Sequence, residues 1–384
     1  MVVIGLLDIP PEIQLQIAEF VQTSQTLKAL SVTSRFLRSI AQSLLFKTFQ
    51  IDLGEELRGS IGDLLANPQI CAAIRLLVLR GPYLLSSQIP RNEKKLSLIQ
   101  KLLPEMVGLR EVWIYQVNLS MAFMDSLLEM AAKIPLRVQL GWNIYPPGID
   151  LISNTPLRIS HLHLGFGTSR PWVDFYRAVF HASAATLTGL DVTADGDGLM
   201  QLAGINLPCL YDLTLVITTE NELSRTSAAA FLTVQRTIRK LDLNGKVRHL
   251  PPLPPSALPD LRELKGSTEL VNQLVPGRPV EAIEVNSPRG NQWFGEEVAR
   301  STARVRKLRI HHTAIREMRM VKRMVTILPS LESLSLCVFD DVSNPFARDY
   351  LDLFSFRPSS KFSKFSLPLS ASRTYALLCD AKHA

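Results

Sequence analysis

The chain has 384 residues, 46% hydrophobic and 20% charged, with a formal net charge of +7. This composition excludes a disordered chain, and no apolar run approaches the roughly 18 residues that span a bilayer. The four cysteines, Cys71, Cys209, Cys337 and Cys379, form no Cys-x-x-Cys pair and read as free thiols of a reducing compartment.

The first residues, MVVIGLL, are apolar but lack a basic n-region, so no signal peptide is expected. Pro10 and Pro11 then open a helix, since proline's missing N–H costs nothing in the first turn. Ile13, Ile17, Phe20 and Val21 recur at helical spacing along it. Ser24 is placed to cap a second short helix carrying Leu27 and Leu30, and Thr33 or Ser34 a third carrying Phe36, Leu37, Ile40, Ala41 and Leu44. Three such helices cannot bury all this apolar surface among themselves, so some of it must face the rest of the chain or a partner.

Residues 6–46 resemble an F-box. Ile9-Pro10-Pro11-Glu12-Ile13 stands where the family has Leu-Pro-x-Glu-Ile or Leu, and Val32-Thr33-Ser34-Arg35-Phe36 where it typically has Val-Cys-Lys-Arg-Trp. The departures are Ile9, Thr33, Ser34 and Phe36. The resemblance implies that residues 1–48 bind a Skp1-like adaptor through Ile9, Pro10, Ile13, Ile17, Leu27, Leu30, Val32 and Phe36. Through that adaptor the chain would join a cullin-based ubiquitin ligase.

From Phe46 onward an apolar-x-x-apolar-x-apolar pattern recurs, the strand signature of a leucine-rich repeat. It begins at Phe46, Ile74, Leu109, Pro135, Ile159, Leu187, Leu210, Ile238, Leu261, Val280, Val305, Leu331 and Phe362. From Leu109 to Leu331 the steps run from 19 to 28 residues, around the leucine-rich period of roughly 20–29. Helices are expected between strands at 93–106, 120–132, 172–184, 225–236 and 315–328. Residues 49–384 therefore read as a curved α/β solenoid with a parallel sheet on its concave face. The array is similar to the irregular leucine-rich repeats that follow F-boxes in many fungal proteins. The Asn or Cys that usually follows each strand is mostly missing, with Pro82, Val117 and Asp195 in its place. The turns must satisfy their backbone by other means.

Two stretches interrupt the array. Pro251-Pro252-Leu253-Pro254-Pro255 reads as a stiff loop, and Gly141 to Gly148 as a long turn with two aromatics. Catalytic groups do not cluster: no Gly-x-Ser-x-Gly, Walker A or His-Glu-x-x-His occurs. His161 and His163 share a strand face with no further ligand nearby in sequence, and Asp195-Gly196-Asp197-Gly198 reads as a turn rather than a calcium loop. Neither an enzyme nor a cofactor or metal is expected.

The concave face carries the remaining information. Trp113 and Tyr115 give it an aromatic end, with His161 and His163 two units on. Asp191, Asp212, Asp242, Glu263 and Glu284 make an acidic middle, and Lys307, Arg309 and His311 a basic end. The face is expected to hold an extended, charge-patterned protein segment through Trp113, Tyr115, His161, His163, Lys307 and Arg309. Arg316, Arg319, Lys322 and Arg323 read as the soluble face of an outer helix, and nucleic acid is not expected. The expected function is that of a substrate receptor in a Skp1-cullin-F-box ligase, cytoplasmic or nuclear. The alternative is a leucine-rich interaction scaffold without a ligase role.

Overall fold

The computed structural model describes residues 9–21, 23–54, 64, 67–81, 89–141, 155–165, 172–286, 296–313, 326–339, 365–366 and 374–380. Most of the expected aromatic turn, at 142–148, lies outside them, as do Arg316, Arg319, Lys322 and Arg323 of the expected basic helix. The chain divides into two compact units, 1–187 and 188–384.

The first unit opens with three helices, α1 (Pro11–Glu19), α2 (Ser24–Thr33) and α3 (Arg35–Leu45). Proline stands at the start of α1 as expected. The cap of α2 is Thr23 rather than Ser24: its Oγ1 accepts from the Thr26 amide at 3.2 Å. Ser34 caps α3, accepting from the Leu37 amide at 3.1 Å. Helix α3 packs against α1, α2 and the short α4 (Pro68–Ala73), which ties the helical segment to the strands.

Strands β1 (Thr48–Asp52), β2 (Leu76–Arg80), β3 (Glu111–Tyr115), β4 (Leu136–Gly141) and β5 (Ile159–Gly165) follow, all parallel. Between them lie α5 (Ile89–Leu102), ending in a 3-10 turn at Leu103–Glu105, and α6 (Met121–Lys133); α7 (Trp172–Ser183) comes after β5. A strand followed by a helix, repeated, is the α/β repeat that the sequence announces. Strand periodicity of two sends Leu77, Val112, Val138 and Leu162 to the helix side in one row and Leu79, Ile114, Leu140 and Leu164 in the next, all buried.

The second unit has seven parallel strands among the described residues: β6 (Gly189–Ala194), β7 (Asp212–Ile217), β8 (Lys240–Gly245), β9 (Glu263–Gly266), β10 (Ala282–Asn286), β11 (Lys307–Thr313) and β12 (Ser333–Phe339). Its helices are α8 (Gly196–Leu202), α9 (Glu222–Val234) and α10 (Thr268–Leu274). Leu190, Leu213, Leu241, Leu264, Ile283 and Leu308 align across neighbouring strands and are buried. Each such side chain contributes about 1.5–3 kcal/mol.

Two further findings differ from the sequence reading. Asp195 caps α8, accepting from the Gly198 amide at 2.9 Å, so Asp195-Gly196-Asp197-Gly198 starts a helix instead of forming a turn alone. The repeat expected at Phe362 does not extend the parallel sheet. The pieces there are β13 (Phe365–Ser366) and β14 (Thr374–Asp380), and β14 runs antiparallel to both β13 and β12.

The turns solve their missing asparagine with side chains from the following helix or loop. Gln235, buried just after α9, accepts from the Leu207 amide at 3.0 Å and donates to the Ile205 carbonyl at 2.5 Å. Gln273 on α10 does the same for Leu250 and also reaches the Pro251 carbonyl, fastening the proline-rich loop. Hydroxyls of Thr186, Thr237 and Ser301 reach back to the carbonyls of Leu157, Leu210 and Arg278 at 2.8, 2.7 and 2.9 Å. Buried Arg278 donates to the Ala257 and Leu274 carbonyls at 3.0 and 2.9 Å, and burial draws its pKa downward. Gly245, at φ +99, sits where a Cβ would fall 2.1 Å from the Ile217 carbonyl oxygen, so that corner requires glycine.

Candidate protein-interaction surfaces

Helix α1 is amphipathic the wrong way round for a core helix. Gln14 and Ala18, one turn apart, are buried at 4% and 6% exposure. Ile13, Ile17 and Phe20 make a separate stripe, about 100° round the helix, and are 43%, 44% and 85% exposed. Gln14 Nε2 donates to the Ile9 carbonyl at 2.5 Å, while its Oε1 finds no donor among the described residues. Val32 at the end of α2 is 75% exposed, and Phe36 opens α3 half out of the protein. Single exposed apolar residues are ordinary, but a concentration of them on short helices marks an interaction surface.

The eight adaptor residues named from sequence therefore separate. Pro10, Ile13, Ile17, Val32 and Phe36 are exposed, and Ile9 and Leu30 half-buried. Leu27 is buried inside the helical segment. Exposed Leu15 and Phe20 were not among the eight. Phe20 could have been included, since it continues the Ile13–Ile17 stripe by one further turn; Leu15 lies off that stripe and no spacing signals it.

The open face of the first unit brings four named residues onto neighbouring strands. Register places Trp113 beside Gln139 and Gln139 beside His163; Glu111, Arg137 and His161 make the adjacent row. The Trp113 indole N–H donates to Glu111 Oε1 at 2.8 Å, which fixes the ring. Tyr115 is followed across the sheet by Gly141 and Gly165, and its ring covers Gly141 so closely that a Cβ there would lie 2.8 Å from Cδ1. Burial, with Glu111 adding to it, pushes the Tyr115 phenol above its ordinary pKa, although Arg80 opposes the shift. All four, Trp113, Tyr115, His161 and His163, are half-buried.

Lys307 and Arg309 belong to the second unit, whose open face is more thoroughly mixed in charge than the sequence reading allowed. Lys240 and Lys265 stand within the supposedly acidic middle. In one row Asp191, Thr214, Asp242, Lys265, Glu284, Arg309 and Ser335 lie side by side on successive strands. Lys265 Nζ is 3.0 Å from Asp242 and 3.3 Å from Glu284; Glu284 also meets His311 at 3.0 Å and Arg309 at 3.5 Å. Lys240 pairs with Asp212 at 3.2 Å. Asn244 joins Asp242 to Asn286 by side-chain hydrogen bonds, reaching across short β9.

One ammonium serving two carboxylates explains their opposite titration. Burial pushes Asp242 up, with Glu284 and Asp191 adding to it, more than Lys265 pulls it down. Burial also opposes ionisation of Glu284, but Lys265 and His311 hold it below its ordinary value. Lys265 loses some charge stability to burial and regains more from the two carboxylates, ending above its ordinary range. A hollow of about 490 Å³ lies over this network, lined among others by Lys265, Glu284, Lys307, Arg309, Ser333 and Ser335.

Among the described residues no group of three or more His, Cys, Asp or Glu could hold a metal, and no helix is long and apolar enough to cross a membrane. No protein-family model matches the chain, and no curated protein does. Solved structures do match. One is the crystal structure of the Rad7 and Elc1 complex in yeast, 11% identical with a TM-score of 0.43, covering 85% of this chain and 83% of that one. A likeness at that level carries no argument about function, which rests on the surfaces themselves.

Proposed function

We propose that the chain is a substrate receptor of a Skp1-cullin-F-box type ubiquitin ligase, with residues 1–48 as the F-box and the leucine-rich repeats as the part that holds the target. The observation that carries this is the inverted helix α1: it spends its buried face on Gln14 and Ala18 and leaves Ile13, Ile17 and Phe20 outside. Such an arrangement is unfavourable for an isolated helical cap and favourable once a partner covers the stripe. The partner is a Skp1-like adaptor, because these are residues through which the segment resembles the F-box. The repeats supply fixed polar and aromatic faces, and the role proposed for the chain is to hold its target rather than to make a bond. It raises the target's concentration near the ubiquitin-charged enzyme.

The test is complex formation between the full chain and a purified Skp1-like adaptor. A stoichiometric complex is expected. Ile17→Asp should weaken it by about 3 kcal/mol or more, the scale of an unpaired buried charge, which is roughly a hundredfold in Kd. Failure of the parent chain to bind would overturn the ligase assignment in favour of an interaction scaffold.

A further inference from the structure

We propose that the hollow on the second unit seats an extended target segment bearing a carboxylate side chain, which Lys307 and Arg309 hold on the β11–β12 side. This rests on the chain being a target receptor and names what that receptor reads. Charge matching inside the hollow decides the sign. On the side facing β11 the acidic groups are engaged: Asp242 by Lys265 and Asn244, and Glu284 by Lys265, His311 and Arg309, while Glu263 lines the far side on β9. The cations on β11 are less fully engaged. Lys307 lies in register between Ala282 and Ser333, with no carboxylate at ion-pair distance among the described residues. Arg309 touches Glu284 through one nitrogen at 3.5 Å, the longest of the Glu284 contacts. Most of its five N–H donors find no acceptor among the described residues. Ser333 and Ser335, the register neighbours of Lys307 and Arg309, add two hydroxyls on the same side. An incoming carboxylate meets two cations and two donors there, while an incoming cation on that side finds Glu284 already shared among Lys265, His311 and Arg309.

The same hollow restricts what the anion can be. Glu263 stands on β9, two strands or about 10 Å from Lys307, beside Lys240 in register, and repels an acidic side chain placed there. With Asp242 and Glu284 it makes a continuous polyanion such as RNA unfavourable along the groove. Glu284 beside Arg309 also penalises a doubly charged phosphate more than a single carboxylate. A segment with one short acidic patch is what remains.

Fluorescence anisotropy on the full chain tests this, using a fluorescein-labelled Gly-Ser peptide with three central glutamates as probe. The comparison probes carry three lysines, three phosphoserines, or an oligo-uridine of equal length. The glutamate peptide should bind best, with affinity falling as salt rises. Lys307→Ala with Arg309→Ala should weaken it at least tenfold, Glu263→Ala should not weaken it, and Arg225→Ala should leave it unchanged. Thermal melting checks each variant; if the double variant melts early, Lys307→Glu, at an exposed position without an ion-pair partner among the described residues, takes its place. The proposal is overturned if the parent ignores the glutamate peptide, if the β11 variants bind it equally, or if phosphopeptide or RNA binds better. A preparation that binds the adaptor but not the peptide refutes this inference and leaves the ligase role standing.

Discussion

Helix α1 and the strands of the second unit use the same kinds of residue in opposite senses. The strands turn Leu190, Leu213, Leu241 and Leu308 inward and charged groups outward, whereas α1 turns Ile13, Ile17 and Phe20 outward and Gln14 inward. The contrast teaches that apolar periodicity identifies an element and one of its faces, but not which way that face points. Burial on the strands stabilises the chain by itself. The α1 stripe is left exposed.

The largest effect that sharpens the comparison is in the core. Leu213→Ala or Leu241→Ala should destabilise by about 2–5 kcal/mol, while Lys307→Ala stays within roughly half a kcal/mol, as read from urea unfolding midpoints. Equal losses at both sets would break the assigned strand register. Next comes Gln235→Leu, which keeps the volume but strands the Leu207 amide and Ile205 carbonyl. It should cost about 1–3 kcal/mol, and a neutral result would remove the glutamine from the turn's support.

A smaller effect lies in the pH dependence of stability. Glu284 ionises below its ordinary 4.5 in the folded chain, so its stabilisation is present above that value and is lost as pH falls through the folded pKa. Asp242 ionises above its ordinary 3.8, so its charged form penalises folding and acid relieves that penalty. Glu284→Gln should therefore flatten the acid limb of a stability profile, and Asp242→Asn should steepen it while raising stability at neutral pH. The reverse pattern would mean that Lys265 serves Asp242 first. The smallest expected effect is at the inverted helix: Ile17→Asp should change stability by no more than about half a kcal/mol, against the roughly hundredfold loss expected in the proposed adaptor binding. A core-sized loss there would show that the stripe is packed against the chain itself.

Much of the fold was legible because the repeat grammar is local. Every expected strand from Phe46 to Leu331 is present, since a period of two with three apolar anchors leaves little choice of face. The antiparallel β14 was not legible, because residues 374–380 carry no repeat pattern and pairing with β12 is set by distant contacts. Helices α4, α8 and α10 are short and carry few apolar anchors; α8 begins with glycines that read as a turn until Asp195 is seen to cap it. Site residues were less legible than strands. Trp113 and His163 fall in one row as strand spacing implies, whereas the resemblance that names Leu27 for the adaptor carries no measure of its burial. The pairing of Lys265 with both Asp242 and Glu284 depends on register between strands about twenty residues apart, which no single segment contains.

The glutamine clamps also determine where this chain can be cut. A repeat array invites excision of one strand-to-strand module, with the remainder closing up. Here the turn before β7 takes its hydrogen bonds from Gln235, which belongs to the following module, and Leu250 takes its own from Gln273. A deletion phased from strand to strand would separate each loop from its clamp and leave paired orphans at the scar. A deletion phased from clamp to clamp would keep every loop with its own glutamine, so shortened versions of the array should express as folded protein only in that second phase.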